Sequence, residues 1–389
     1  LRRSAFPGNR CSPYLMDSAG PNIALSDVLP SAAAAVGVPH CVDRLGIGLA
    51  DVVIVCLVDG LGASDIEEYP QLFQALTDAS GGSISAAFPT TTSTGLASLG
   101  TGLPSGQHGI VGASFLLPEY GRTLNPLHWG SDPPSVSVQP ERTVFENIAS
   151  AGVDSVAIGP AAYARSGLTR AVLRGAQYVQ AESISERIDR AASAIADAAR
   201  RKVPLVAYVY WPALDRAGHE HGVGTAPWLE AAVQVNTLVS GLRLVLPATG
   251  RLVVTADHGM VEAGQRIWWE DEPALCWGVR ILAGEPRMRH VYVEDDAHEG
   301  VRNRWQDVLG ERARVFPRVS AISAGLFGPV DPALADRIGD IVVVAQPGYS
   351  LASRRIDGSV SALPGQHGGD SDRERRIPGL ILAGHQGGS

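Results

Sequence analysis

The sequence predicts an α/β fold in three layers, a largely parallel central sheet between helices, with one inserted subdomain. Three observations carry this expectation. Short β-branched runs alternate with longer stretches whose apolar residues recur at helical spacing. The runs are apolar almost throughout, as strands covered on both faces require. Several acidic motifs follow directly on the ends of such runs, at the edge where open α/β sheets bind ligands.

The predicted strands are residues 52–57, 83–87, 155–158, 205–210 and 252–255. Between them Ile184, Ile188, Ala191, Ala192, Ile195 and Ala199 recur on one helical face, and residues 229–244 show a similar period. From 261 to 363 the composition shifts toward Arg, Glu and Trp, with a helix near 301–309 and a strand near 341–344. This stretch reads as a subdomain inserted into a catalytic domain of residues 45–389, which resumes before His367 and adds a last strand at 377–382. Residues 1–44 read as an N-terminal extension.

With 389 residues, 45% of them apolar, the chain can bury a substantial core. A formal net charge of -8 argues against a broad footprint on a phosphate backbone, so no nucleic-acid polymer is expected as a partner. Cys11, Cys41, Cys56 and Cys276 are widely separated and form no CxxC pair, which fits reduced thiols. No segment approaches the roughly 20 apolar residues of a membrane span. The expectation is a cytoplasmic protein without membrane contact, its oligomeric state left open.

Four separated motifs supply oxygen and imidazole ligands: Val58-Asp59-Gly60, Asp215-Arg216-Ala217-Gly218-His219, Ala256-Asp257-His258-Gly259-Met260 and Gly365-Gln366-His367-Gly368. Asp215 and His219, four apart, share one face of even a single helical turn and so can chelate one ion. Taken singly each motif has an ordinary structural reading. Asp59 suits a helix N-cap, Asp215 and His219 a satisfied polar pair, and His367 a solvated loop. A fifth segment, Phe88-Pro89-Thr90-Thr91-Thr92-Ser93-Thr94-Gly95, offers hydroxyls at a helix start, where capping competes with a nucleophilic role. Jointly the motifs hold ligands for two divalent cations plus an alkoxide, the parts of in-line displacement at phosphorus.

In this order, and with Thr101-Gly102-Leu103-Pro104-Ser105-Gly106-Gln107-His108-Gly109 after the hydroxyl cluster, the motifs resemble the type I phosphodiesterase/nucleotide pyrophosphatase family of the alkaline phosphatase superfamily. The resemblance implies an alkaline phosphatase-like fold and two metal ions, zinc as first choice. It implies that Asp215, His219 and His367 hold one ion, and that Asp59, Asp257, His258 and Thr92 hold the other. Thr92 would be the nucleophile of a covalent phosphothreonine route, His108 a structural support. The substrate would be a small phosphate ester, first a phosphodiester or nucleotide pyrophosphate. Alternatives are a phosphomonoesterase, a phosphonate or sulfate ester hydrolase, a phosphoglycerate mutase-like phosphotransferase and, from another class, an inactive metal- or ligand-binding module. One departure stands out. The family continues after its nucleophile with Phe-Pro-Asn-His, whose Asn donates to a phosphoryl oxygen, where this chain has Ser93-Thr94-Gly95-Leu96. Residues 88–109 also hold no Lys or Arg, so a cation for a dianionic monoester has to come from elsewhere, with Arg165, Arg170 and Arg174 as candidates.

Overall fold

The computed structural model describes residues 23–294 and 297–384. Cys11 and the first half of the expected N-terminal extension lie outside them. The helix α1 (Val28–Ala35) belongs to that same extension but packs on the first strand of the main sheet. Leu25, Val28, Leu29, Ala32 and Ala33 are fully buried in the main core, so residues 23–36 are part of the body and not an appendage.

Along the chain follow β1 (Val52–Val58), β2 (Ser80–Ser85), α2 (Thr92–Thr101), β3 (Asp154–Gly159), β4 (Gln177–Gln180), α3 (Ile184–Arg201), β5 (Leu205–Trp211), α4 (Ala213–His221), α5 (Ala226–Leu244) and β6 (Arg251–Thr255). A second group holds β7 (Val279–Glu285), β8 (Met288–Val293), α6 (His298–Leu309), β9 (Ala313–Pro317) and β10 (Ile341–Ala345), before β11 (Arg376–Ala383) returns to the main sheet. The main sheet has the order β2-β11-β6-β1-β5-β3-β4. Strands β6, β1, β5, β3 and β4 run parallel, and β11 alone is reversed against its neighbours β6 and β2.

All seven residues of β1 and all seven of β5 are buried, which requires cover on both faces. α1 lies against β1 on one side of the chain path, while α5 packs on β1 and β6 and also on α3 and α4. α3 forms where it does because Ser183 and Glu186 close a capping box and Lys202 ends the helix in the left-handed region. The strand expected at 83–87 lies at Ser80–Ser85 instead. It is an edge strand with two glycines and four exposed residues, so it lacks the apolar signature of the central ones.

The second group builds its own antiparallel sheet, β7-β8-β10-β9, around a separate apolar cluster that includes Val291, Val301, Trp305, Leu309 and Val343. Its contacts with the body include a backbone pairing and a buried ion pair. Gly365–Gln366 pairs antiparallel with Val261–Glu262, closing the neck through which the chain leaves and returns. Arg287 and Glu374, both without exposure, form a bidentate pair at 3.1 and 2.9 Å, and Arg287 also donates to the carbonyls of Gln346 and Tyr349. Among the described residues no helix is long and apolar enough to cross a membrane.

Removing one partner of a buried pair leaves the other charge without compensation. Arg287→Ala is therefore expected to lower unfolding free energy by about 3–5 kcal/mol in urea titration. The double variant Arg287→Met/Glu374→Leu should recover only part of that loss, because the carbonyls of Gln346 and Tyr349 and the amides of Gly369 and Ser371 lose their partners. A single variant within about 0.5 kcal/mol of wild type would show that the pair does not clip the second sheet to the body.

Candidate active site

The parallel register of β1, β5 and β6 decides where the ligands emerge. Val58 stands opposite Trp211 and Leu57 opposite Thr255, so the three strands end at one level. Asp59 follows β1 at once, Asp257 and His258 follow β6, and Asp215 and His219 lie on α4 just past β5. Gly60 turns the chain at φ +76°, and a Cβ there would stand 2.9 Å from Asp215 Cα, so only glycine lets the two segments approach. His367 comes from far along the chain, yet the two-stranded neck sets it down beside His258, their rings stacked at 3.7 Å.

The three imidazoles are oriented alike. Nδ1 of His219 lies 2.8 Å from Gly365 O, that of His258 lies 3.0 Å from Gly259 O, and that of His367 lies 2.9 Å from Thr90 O. A carbonyl only accepts, so each Nδ1 carries a proton and each ring turns its Nε2 inward. Nε2 of His219 and Nε2 of His367 face each other at 3.0 Å. His258 Nε2 lies 3.4 Å from Asp59 Oδ1 and 3.5 Å from Asp257 Oδ2, and His219 Nε2 lies 3.5 Å from Asp215 Oδ1. These three carboxylate oxygens are buried and have no hydrogen-bond partner.

Such an arrangement repels itself. Burial, reinforced by Asp257 and Asp215, pushes the Asp59 carboxyl well above its ordinary range, although Tyr210 Oη donates to its other oxygen. Burial likewise raises Asp257. Burial and the flanking His258 and His219 hold His367 well below the usual imidazole value. Orphaned carboxylate oxygens and convergent imidazole nitrogens are the donor set of a cation with nitrogen and oxygen ligands. Two overlapping groups meet metal-ligand spacing, Asp59 with Asp257 and His258, and Asp215 with His258 and His367. His219 adjoins the second group through its contacts with Asp215 and His367. The seven residues singled out in the sequence thus stand together in one site.

The hydroxyl cluster resolves by elimination. Thr90 Oγ1 donates to Gly369 O, Ser93 Oγ to Gly112 O and Thr94 Oγ1 to Ile110 O. Thr91 is the N-cap residue of α2 and faces Glu285. Thr92, the first residue of α2, turns its hydroxyl to His258 Nε2 at 3.2 Å. His108 lies fully buried against Ser98 Oγ, and burial pulls its pKa down to about 3, so it is a neutral core group. Gly95 explains the missing Asn. A Cβ at this position would stand 2.6 Å from Asp257 Cβ, leaving no room for a side chain.

Three participants escaped the sequence reading because nothing local marks them. Tyr210, a strand residue, meets Asp59; Glu285, from β7 of the second sheet, places a buried carboxylate 3.6 Å from His367 Nδ1; Arg216 lines the cavity beside the ligands. Arg165, Arg170 and Arg174 do not line that cavity, and the last two are tied to backbone carbonyls.

Residues 53–370 match the sequence profile of the type I phosphodiesterase/nucleotide pyrophosphatase family. The chain belongs to that family. No curated protein matches it in sequence. Among solved structures it is similar to murine ectonucleotide pyrophosphatase/phosphodiesterase 5, with 18% identity, a TM-score of 0.69 and coverage of 86% of this chain and 88% of that one. An inactive variant of the murine protein in complex with AMP matches at 19% identity and TM-score 0.68, over 85% and 87% of the two chains. The human counterpart matches at 17% and 0.64, again over 85% and 87%. The fold is alkaline phosphatase-like, and this phosphodiesterase/nucleotide pyrophosphatase family member is a phosphoester hydrolase.

The donor set makes a direct expectation about ions. Elemental analysis of protein purified without chelator should find about two divalent cations per chain, zinc foremost. His367→Ala should lose one and keep the other, since Asp59 and Asp257 do not depend on it. At most one ion in the wild-type protein would remove the two-cation reading.

Proposed function

We propose that the chain hydrolyses phosphodiesters, nucleotide pyrophosphate linkages among them, by way of a phosphothreonine on Thr92. Asp215, His219 and His367 would hold one divalent cation and Asp59, Asp257, His258 and Thr92 the other, zinc in both. The observation that carries this reading is that Thr92 alone in its hydroxyl cluster faces the converging ligands while its neighbours are tied to backbone or to Glu285.

Cations bound there supply Lewis-acid stabilisation of phosphoryl charge and lower the pKa of an alcohol or water. The chain's own contributions follow from its geometry. Thr92 sits at the first position of α2, so its oxygen and the amides of the first turn meet the phosphoryl group together, with the favourable end of the helix dipole behind them. Its oxygen bonds to phosphorus as the bond to the leaving oxygen breaks. Water then cleaves the Thr92 ester, returning the hydroxyl and releasing a monoester. Asp59 is held in place by Tyr210, and each imidazole by a carbonyl at its Nδ1, which keeps the site rigid between the two steps. Residues 261–363 act as an inserted subdomain whose neck positions His367.

The AMP bound by the murine relative supports a nucleotide-type ester. A phosphomonoesterase is the second reading, favoured by Gly95, which removes the family's Asn donor to a phosphoryl oxygen. The cavity argues the other way. Arg216, its only Lys or Arg, is exposed at the rim, so no buried cation awaits the extra charge of a monoester.

Thr92→Ala is expected to lower kcat by at least about 1,000-fold while leaving fold and most bound metal in place. Retained activity there, with loss in Thr91→Ala, would move the nucleophile by one residue. In the wild type, kcat/KM for bis-p-nitrophenyl phosphate should exceed that for p-nitrophenyl phosphate at matched pH and metal loading. The opposite order would establish the phosphomonoesterase.

A further inference from the structure

The turn between β7 and β8 enters the body at the candidate active site. Glu285 ends β7 opposite Met288, and the two strands join through Pro286 and Arg287. The Gly284 amide donates to Ser114 O at 2.9 Å, Ser114 Oγ donates to Gly284 O at 3.0 Å, and the Leu351 amide donates to Pro286 O at 2.7 Å. The turn is thus fixed both to the body and within the insertion. Its acidic side chain reaches the back of His367, where Oε2 lies 3.6 Å from Nδ1, the ring nitrogen turned away from His219. It also packs on the backbone that follows, since a Cβ on Gly368, at φ +117°, would stand 2.4 Å from Glu285 Cδ. On another side it faces Thr91, the residue before Thr92.

This is a costly place for an acid. Glu285 is buried, its Oε1 has no hydrogen-bond partner, and burial pushes its pKa well above the ordinary range. Arg289, whose charge reaches it, is already paired with Asp357, and Glu374 adds like charge. A buried oxygen left unpaired destabilises a fold, so packing alone does not account for a carboxyl group at 285. We infer that Glu285 is a positioning residue for the cation site that includes His367, a carboxyl group supplied by the inserted sheet to the Nδ1 edge of a ligand from the body. The inference rests on the cation reading of His367 above and adds a residue which that reading does not contain. Carboxylates behind ligating imidazoles fix the ring and raise the basicity of its other nitrogen. Thr90 O, at 2.9 Å, directs the Nδ1 proton but carries no charge. The ring gains positive charge when its Nε2 ligates a cation, and a carboxylate at the opposite edge meets that charge where water does not screen it. Stability is thereby traded for affinity.

Competition titration of metal-free protein with zinc against a chromogenic chelator tests the assignment without turnover. The wild type should take up two equivalents. In Glu285→Met, which keeps the bulk and removes the carboxyl group, one equivalent should bind about 10- to 100-fold more weakly while the other keeps its affinity. The same metal-free variant should unfold in urea at a midpoint no lower than that of the wild type, because a buried acid with an unpaired oxygen has gone. A lower midpoint with unchanged zinc affinity would make Glu285 a packing residue and overturn the inference. Where stability and affinity fall together, Glu285→Asp decides: it keeps the carboxylate and should bind zinc more tightly than Glu285→Met, and equal or weaker binding overturns the inference. Two equivalents bound alike by wild type and Glu285→Met would overturn it alone, whereas fewer than two in the wild type would take the two-cation reading down with it.

Discussion

Three carboxylates and three inward-facing imidazole nitrogens are forced together in a buried site, and the rest of the structure serves to hold that repulsive cluster. Asp59, Asp215 and Asp257 leave oxygens without partners, and the Nε2 atoms of His219 and His367 face each other at 3.0 Å. Without compensation each such group loses the full value of its hydration. The three imidazoles are anchored from behind by carbonyls at Nδ1, Asp59 by Tyr210, and Asp257 by the amides of Gly60 and His258. Such outer contacts fix the tautomer and direction of a ligand before any ion arrives.

Anchoring works only if the backbone brings the segments to one place. Parallel pairing of β1 with β5 and β6 ends three strands at one level, which is why three motifs far apart in sequence emerge on one edge. The inserted sheet would disturb this edge if it were loosely attached, since it departs directly after the Asp257 and His258 loop. The neck between 261–262 and 365–366 and the buried Arg287–Glu374 pair turn that hazard into a positioning device. The same insertion delivers Glu285 to the neighbourhood of His367 and Thr91. Close packing of Gly95 on Asp257 ties the nucleophile's helix to the ligand loop, at the cost of a side-chain donor there.

Hydroxyl placement links the scaffold to the chemistry. In the segment from Thr90 to Thr94 every neighbour of Thr92 has a structural engagement, and those engagements hold the first turn of α2 against the loops at 110–112 and 368–369. The Thr92 hydroxyl, turned to His258, is thus presented by a rigid helix start. One turn further along the same helix Leu96 lines the cavity beside Thr92.

By itself the sequence made legible the parallel core and the acidic and histidine motifs at strand ends. Buried parallel strands must be apolar throughout, so β1, β5 and β6 are legible locally, whereas Asp59, Asp215, His219, Asp257, His258 and His367 point to a site only when taken jointly. The edge strand Ser80–Ser85 was misplaced because exposure on an edge removes the pattern, and β7, β8 and β9 went unread for want of a periodic signal. Tertiary structure alone decided which hydroxyl faces the imidazole and carboxylate cluster, because Thr90 to Thr94 differ in the partners they meet, carbonyls, the Glu285 carboxylate or His258. It also decided that residues 23–36 belong to the core and that Tyr210 and Glu285 flank the ligands. Those properties arise from contacts between segments 16 to 279 residues apart, and local composition carries no record of them.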